Sequence, residues 1–158
     1  MRVSFIFLLA LVDCSQPKGN QAETSRIDSL EKRLAEVYKP GLGEFMSEIQ
    51  VHHAKLWFAG QNQNWKLADF ELNEIKEALS GIKTYCSDRA ETKEIGMMDQ
   101  PMDSMNNAIQ RKDFLNFKRS YILLTTTCNN CHRATSHEFN VIKIPNAPPF
   151  SNQDFKVK

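Results

Sequence analysis

The sequence predicts an all-α protein: an antiparallel four-helix bundle that is preceded by a short extra helix and followed by an extended tail. Apolar residues recur at steps of three and four along most of the chain, and no β-type alternation of any length occurs before residue 138. The breaks between these helical stretches are short, which favours antiparallel packing of consecutive helices. A chain of 158 residues is long enough to form one such domain.

The N-terminal segment predicts export. Arg2 precedes a largely apolar run of ten residues, 3–12, which is too short to span a bilayer but is typical of a signal-peptide core. We therefore expect residues 1–13 to be a signal peptide. The stretch ends in the sequence LVDC, which resembles the lipobox of bacterial lipoproteins and makes Cys14 a candidate for lipidation. Asp13 stands where the lipobox has a small residue, so a plain secretory signal is the alternative.

Two segments are predicted between this leader and the bundle. Residues 14–24 are polar, lack apolar periodicity and are expected to form a flexible tether. Residues 25–39 are expected to form a short charged helix that ends before Pro40-Gly41. We consider three roles for this helix: a stalk, a brace on the bundle, or the seam of a coiled-coil homodimer.

The bundle is predicted to cover residues 43–136. Asn64 and Asp113 are placed to cap its second and fourth helices, and Pro101 is expected to kink or restart the third. The expected core residues lie on one stripe of each helix. They are Met46, Ile49, His53 and Leu56; Trp65, Ala68, Leu72, Ile75, Leu79 and Ile82; Ile95, Met98, Met102, Met105 and Ile109; and Phe114, Phe117, Tyr121, Leu124, Cys128 and Cys131.

The last of these helices carries Cys128-Asn129-Asn130-Cys131-His132, the C-x-x-C-H motif of covalent c-type haem attachment. Two thiols at this spacing add across the two haem vinyl groups, and the adjacent imidazole then lies under the iron. A zinc site would need a second ligand pair, and a thioredoxin-like redox pair would need a βαβ context; the sequence has neither. We predict one haem c per chain, attached through Cys128 and Cys131 inside the bundle, with His132 as the proximal iron ligand.

With this motif in the last helix of a predicted four-helix bundle, the chain resembles the class II c-type cytochromes, the family of cytochrome c′ and its low-spin relatives. The resemblance covers roughly residues 43–136 and implies the same roles for Cys128, Cys131 and His132. A class I cytochrome c has its motif near the N-terminus and a ligand Met well downstream. Here only 26 residues follow His132, and none of them is Met.

The sixth iron ligand is predicted to come from the first bundle helix. In an antiparallel bundle the start of that helix lies beside the end of the last one, which puts Met46 level with His132. The low-spin members of the resembling family use a Met of the first helix, so the resemblance implies the same residue. His53 is the alternative, on the same stripe but about two turns, roughly 10 Å, further along. A five-coordinate iron is the third option.

Residues 137–158 are predicted to form an extended tail that packs on the bundle and covers the haem edge. Helix cannot continue past Pro145. The residues expected to anchor the tail are Ile142, Ile144, Phe150 and Phe155.

The predicted function is that of an exported monohaem c-type cytochrome, not an enzyme, that carries single electrons between redox protein partners. We expect it in the periplasm, or held by a lipid on the outside of the bacterial cytoplasmic membrane. The balance of 20 basic and 19 acidic residues gives no indication of nucleic-acid binding. One alternative is a five-coordinate haem protein that binds or senses a diatomic gas such as NO or CO. Another is a haem-free exported bundle in which C-x-x-C-H is coincidental.

Overall fold

A computed structural model describes residues 21–37 and 39–157 of the chain. In this part of the chain all regular secondary structure is helical, with five α-helices, one 3₁₀ helix and no β-strand. The all-α prediction is therefore confirmed for these residues. The predicted signal peptide 1–13, the candidate lipidation site Cys14 and most of the predicted tether lie outside the described residues. None of the described helices is long and apolar enough to span a lipid bilayer.

The structure divides into two units, residues 1–39 and residues 40–158. Helix α1, Gln21–Val37, belongs to the first unit. It begins four residues before the predicted start, so residues 21–24 form its first turn and are not part of a tether. Glu23 lies in that turn, where a negative charge favours helix formation through the helix dipole.

The second unit contains the remaining helices. They are α2, Leu42–Gln61; α3, Trp65–Tyr85; a 3₁₀ helix, Ala90–Met98; α4, Asp99–Gln110; and α5, Phe114–Ala134. Both predicted caps are confirmed. The Asn64 side chain accepts a hydrogen bond from the backbone N–H of Leu67 at 3.3 Å, and Asp113 accepts one from the backbone N–H of Asn116 at 3.0 Å. Polar side chains thus fix where α3 and α5 begin.

Pro101 restarts a helix, as its position predicts. The chain runs as a 3₁₀ helix up to Met98 and then as α4 from Asp99. Pro101 therefore lies in the first turn of α4, where the N–H that proline lacks has no partner within the helix.

Helix α2 packs on α3, α4 packs on α5, and further contacts join α3 to α4 and α2 to α5. The contacts between α2 and α5 show that these two helices run in opposite directions. Gly60, near the end of α2, lies against Phe117, near the start of α5. Closer to the start of α2, His53 meets Thr125, two turns further along α5. The start of α2 therefore lies beside the end of α5, where the C-x-x-C-H motif is located.

The predicted stripes form the core of this unit. Seventeen of the 21 stripe residues are buried; the half-buried ones are Met46, Trp65, Phe114 and Cys128. Three of these four still pack against the buried cluster: Met46, Trp65 and Cys128.

The described part of the tail after α5 contains no helix or strand. Phe155 is buried, with its ring centroid 5.7 Å from that of Phe58, and Ile142 is half-buried. Ile144 and Phe150, two of the four predicted anchors, are instead 38% and 45% exposed. The tail is held near its two ends, so the stretch between them lies at the surface.

Candidate functional site

The C-x-x-C-H motif lines a cleft at the end of α5. Cys128, Cys131 and His132 all line a cavity of about 230 Å³, and Cys131 and His132 also line a second cavity of about 300 Å³. Each volume is close to the lower limit of small-molecule pockets, ~300 Å³. The two cavities share six lining residues and so belong to one cleft, which is larger than either. The shared residues are Gly43, Met46, Ile95, Cys131, His132 and Asn140.

The two parts of the cleft differ in polarity. The first cavity has a largely apolar wall, built from α2, α3, the 3₁₀ helix and the tail. Its apolar side chains are Met46, Ile49, Leu79, Ile95, Met98 and Ile142. The second cavity adds the charged pair Arg89 and Glu91, whose side chains lie 2.8 Å apart, together with His137. A ligand that fits this cleft would have a large apolar surface and a polar edge.

The ring of His132 is held by the tail. Its Nδ1 lies 2.6 Å from the backbone oxygen of Asn140. Because a carbonyl oxygen only accepts hydrogen bonds, Nδ1 carries the proton and donates it, which leaves the lone pair on Nε2. Histidines that bind metals are usually oriented by this kind of hydrogen bond. Nε2 of His132, a residue that lines the cleft, is thus available to bind a metal.

Asn129, inside the motif, fixes the tail beside His132. Its Oδ1 accepts a hydrogen bond from the backbone N–H of Ile142, and its Nδ2 donates to the Ile142 oxygen, both at 2.8 Å. Ile142 is only two residues beyond Asn140, so the same side chain sets the position of the carbonyl that binds His132. Asn130 does not share this role and hydrogen-bonds to the Arg133 side chain. In the sequence Asn129 and Asn130 are simply the two spacer residues of the motif, which is why sequence reasoning missed Asn129.

The two thiols of the motif are held in their protonated form. Burial, with a smaller contribution from Cys131, raises the pKa of Cys128 to about 12. Burial and then the charges of Glu94 and Glu91 also raise the pKa of Cys131. Dithiol redox motifs depend on a thiolate of lowered pKa. The environment of these cysteines therefore differs from that of a thioredoxin-like pair.

His53 lines the first cavity, but its ring is engaged in a buried hydrogen-bond network. The Thr125 hydroxyl donates to the Tyr121 backbone oxygen at 2.9 Å, so it accepts the proton of His53 Nε2, also at 2.9 Å. His53 Nδ1 faces the Tyr121 hydroxyl at 3.0 Å. Burial lowers the pKa of His53 to about 4, and the ring is neutral at physiological pH.

The other two histidines also have partners. His52 turns towards α3, where its Nδ1 lies 2.6 Å from Glu71 Oε2. His137 lines the second cavity; its Nδ1 is 2.6 Å from the Thr135 oxygen and its Nε2 is 3.9 Å from Glu91.

Met46 lines both cavities, as does His132. Met98 lines only the first. The structure thus brings Met46 into the cleft that contains the motif, which is where antiparallel register of α2 and α5 predicts it. Among the described residues, Met46 is the only thioether side chain that lines both parts of the cleft.

Comparison of this chain with models of known protein families, with curated proteins and with solved structures finds no significant match. Its function therefore has to be inferred from the chemistry of the cleft.

Proposed function

We propose that this chain is an exported c-type cytochrome of the four-helix-bundle class, with one covalently attached haem c, and that it transfers single electrons between redox proteins. The observation that supports the proposal best is the position of His132 and of the proton on its ring. It follows two cysteines at haem-attachment spacing, lines the same cleft as both, and donates its Nδ1 proton to Asn140, which leaves Nε2 for iron.

Cys128 and Cys131 would provide the covalent attachment. Each thiol would add across one vinyl group of the haem: the sulfur would bond to one vinyl carbon, and the thiol proton would go to the other. No group leaves and no electrons are exchanged with a third reactant. Both cysteines line the first cavity, so a planar ligand in the cleft lies within reach of both sulfurs.

We propose that Met46 would be the second side chain to bind the iron. It lines the same cleft as His132, and its thioether needs no proton to be released before it binds iron. Binding through His53 would require the ring to leave Thr125 or Tyr121, and a buried polar group that loses its partner costs about 1–3 kcal/mol.

The surroundings of the proposed haem suit a protein that carries electrons. When bound, the haem supplies a one-electron couple between ferric and ferrous iron. The hydrogen bond from His132 to Asn140 fixes the orientation of the ring, which limits rearrangement when the charge changes. The apolar side chains of Ile49, Leu79 and Ile95 keep water away from the site and favour the less charged ferrous state.

The proposed export is supported by the signal-peptide-like sequence of the first 13 residues and would deliver the chain to the compartment in which c-type haem is attached. The periplasm, or the outer side of the cytoplasmic membrane if Cys14 is lipidated, is the proposed location.

The proposal is tested by expressing the full chain together with c-type maturation machinery and staining a denaturing gel for haem. Only covalently bound haem survives denaturation, so the wild-type chain should stain and Cys128→Ala/Cys131→Ala should not. Cys86→Ala is the matched control, because Cys86 is buried outside the cleft, with its thiol 3.7 Å from the Pro40 oxygen. An unstained wild type, or a double variant that stains as strongly as wild type, would show that the motif does not attach haem.

A further inference from the structure

A second cluster of side chains able to bind a metal lies between α2 and α3 and lines neither cavity. One ligand atom from each of Glu48, His52 and Glu74 lies within 4.8 Å of the other two. Glu48 and His52 are four residues apart on α2 and share one face of that helix, and Glu74 is contributed by α3. The cluster therefore links two helices that are consecutive in the chain.

The imidazole of His52 is presented as a metal-binding histidine would be. Its Nδ1 lies 2.6 Å from Oε2 of Glu71, and its Nε2 lies 3.9 Å from Oε2 of Glu74. The short contact with Glu71 places a proton on Nδ1, so in the neutral ring the lone pair is on Nε2, the nitrogen nearer the second carboxylate. A carboxylate that holds one nitrogen of a histidine while the other binds a metal is a common arrangement around protein metal sites.

Glu71, the partner of His52, adds a second observation: a buried carboxylate oxygen without a hydrogen bond. Its side chain is fully buried, and its Oε1 has no hydrogen-bond partner in the described part of the chain. The Lys55 ammonium is 3.8 Å from this oxygen, close enough for an ion pair but too far for a hydrogen bond. A buried carboxylate is costly unless positive charge compensates it. Here three carboxylates, Glu48, Glu71 and Glu74, surround one ammonium and one imidazole.

We propose that Glu48, His52 and Glu74 bind one divalent transition-metal ion of the Zn²⁺ type. An imidazole ligand favours Zn²⁺ and its neighbours in the first transition row over Ca²⁺ and Mg²⁺, which prefer oxygen ligands alone. Three protein ligands leave a fourth position for water. The ion would balance the excess negative charge, and its effect would reach Glu71 through the His52 ring.

The spacing of the ligands allows such a site with small side-chain movements. Bonds of about 2.0–2.2 Å in a tetrahedral site place the ligand atoms roughly 3.4 Å apart. Separations of up to 4.8 Å therefore have to shorten by at most about 1.4 Å. Glu48 is exposed and the Glu74 side chain is 27% exposed, so both are free to turn towards His52, which Glu71 holds in place.

The test is equilibrium dialysis of the full, haem-loaded protein against Zn²⁺, with zinc and iron measured separately by elemental analysis. We expect one zinc per chain, removable by a chelator, and at least tenfold weaker binding by Glu48→Gln/Glu74→Gln. Glu71→Gln should weaken binding by roughly 10- to 100-fold, as is usual for a partner of a ligating histidine. Glu77→Gln/Glu138→Gln makes the same change in net charge at two exposed positions outside the cluster and should bind zinc as wild type does.

Two results would overturn the inference: no zinc on the wild-type protein, or equal zinc binding by wild type and Glu48→Gln/Glu74→Gln. If the chain carries no haem and its zinc is lost in Cys128→Ala/Cys131→Ala but not in Glu48→Gln/Glu74→Gln, the ion occupies the C-x-x-C-H motif, and the haem proposal fails as well. A protein that stains for haem but binds no zinc contradicts the metal site alone.

Discussion

The ability of His132 to bind a metal depends on which of its two ring nitrogens carries the proton. The sequence identifies the residue by its motif, but a histidine beside two cysteines is a ligand only if one ring nitrogen is free and correctly aimed. The hydrogen bond to the Asn140 oxygen supplies both conditions, because it places the proton on Nδ1 and fixes the ring. That hydrogen bond depends in turn on Asn129, which holds the tail at Ile142.

Asn129→Ala should raise the reduction potential of the proposed haem. Without the two hydrogen bonds to Ile142, the Asn140 carbonyl is no longer held against His132, and the Nδ1–H bond weakens. An imidazole with a weaker Nδ1–H bond donates less electron density to iron and stabilises the ferric state less. A potentiometric titration of the purified protein measures the shift.

Asn130→Ala is the control for this change. It removes the same type of side chain from the same motif, but its partner is the Arg133 side chain and not the tail. Its potential should match that of wild type. Equal potentials for all three proteins would mean that Asn129 does not position the ligand.

Met46→Ala should abolish the low-spin absorption spectrum of the oxidised protein. The change removes the thioether that lines both parts of the cleft, whereas Met98→Ala removes one that lines only the first and should leave the spectrum low-spin. If His53→Ala abolishes that spectrum and Met46→Ala does not, the iron is bound by two histidines. If the wild-type spectrum is itself high-spin, the iron has an open site, and binding of a gas such as NO becomes the better explanation of the cleft.

At the scale of the helices, most of the fold can be predicted from the sequence, because apolar spacing and capping residues are local signals. Asn64 and Asp113 cap the helices that they were predicted to cap. Helix α1 begins before the predicted residue 25 because residues 21–24, which are polar and look like a tether, are compatible with a helical turn. The pairing of Asn129 with Ile142 and of His52 with Glu71 joins positions far apart in the chain, and no periodicity indicates it.

The contact between α2 and α5 depends on Gly60, and Gly60→Ala should destabilise the protein. A Cβ atom at this position would lie 2.0 Å from the nearest atom of the Phe117 ring, which is itself fully buried. The helices would have to separate or the ring would have to move, and overpacking of this kind costs about 1–3 kcal/mol. Chemical denaturation of the purified protein measures the loss.

Gly96→Ala is the control, because Gly96 also lies in a helix and lines neither cavity of the cleft. A Cβ atom at Gly96 meets no atom within 4 Å, so the substitution should be neutral or should stabilise the protein by up to about 1 kcal/mol. Equal stability of the two variants would mean that α2 and α5 are not in close contact at Gly60.

Across the whole second unit, the tail connects the two ends of the helices. It begins at the motif, where Asn129 holds Ile142, and reaches the turn between α2 and α3, where Phe155 packs on Phe58. Asn64 also donates a hydrogen bond to the Phe155 oxygen at 3.4 Å. The sequence predicted a tail packed through four apolar residues, but only Phe155 among them is buried, because hydrophobicity alone does not reveal which residue finds a pocket.

Phe155→Ala should therefore lower the free energy of unfolding by about 3 kcal/mol, the lower end of the range for removing a buried Phe side chain. Phe150→Ala removes the same side chain from a position that is 45% exposed, where the Lys55 ammonium lies 5.7 Å from the ring centroid, and should cost less than about 1 kcal/mol. Both values come from denaturation curves of the haem-loaded protein.

Because Asn129 holds the tail independently at the motif, Phe155→Ala should leave the reduction potential at the wild-type value. A potential that shifts together with stability would mean that the two ends of the tail act as one unit, and that His132 is positioned by the whole tail and not by Asn129 alone.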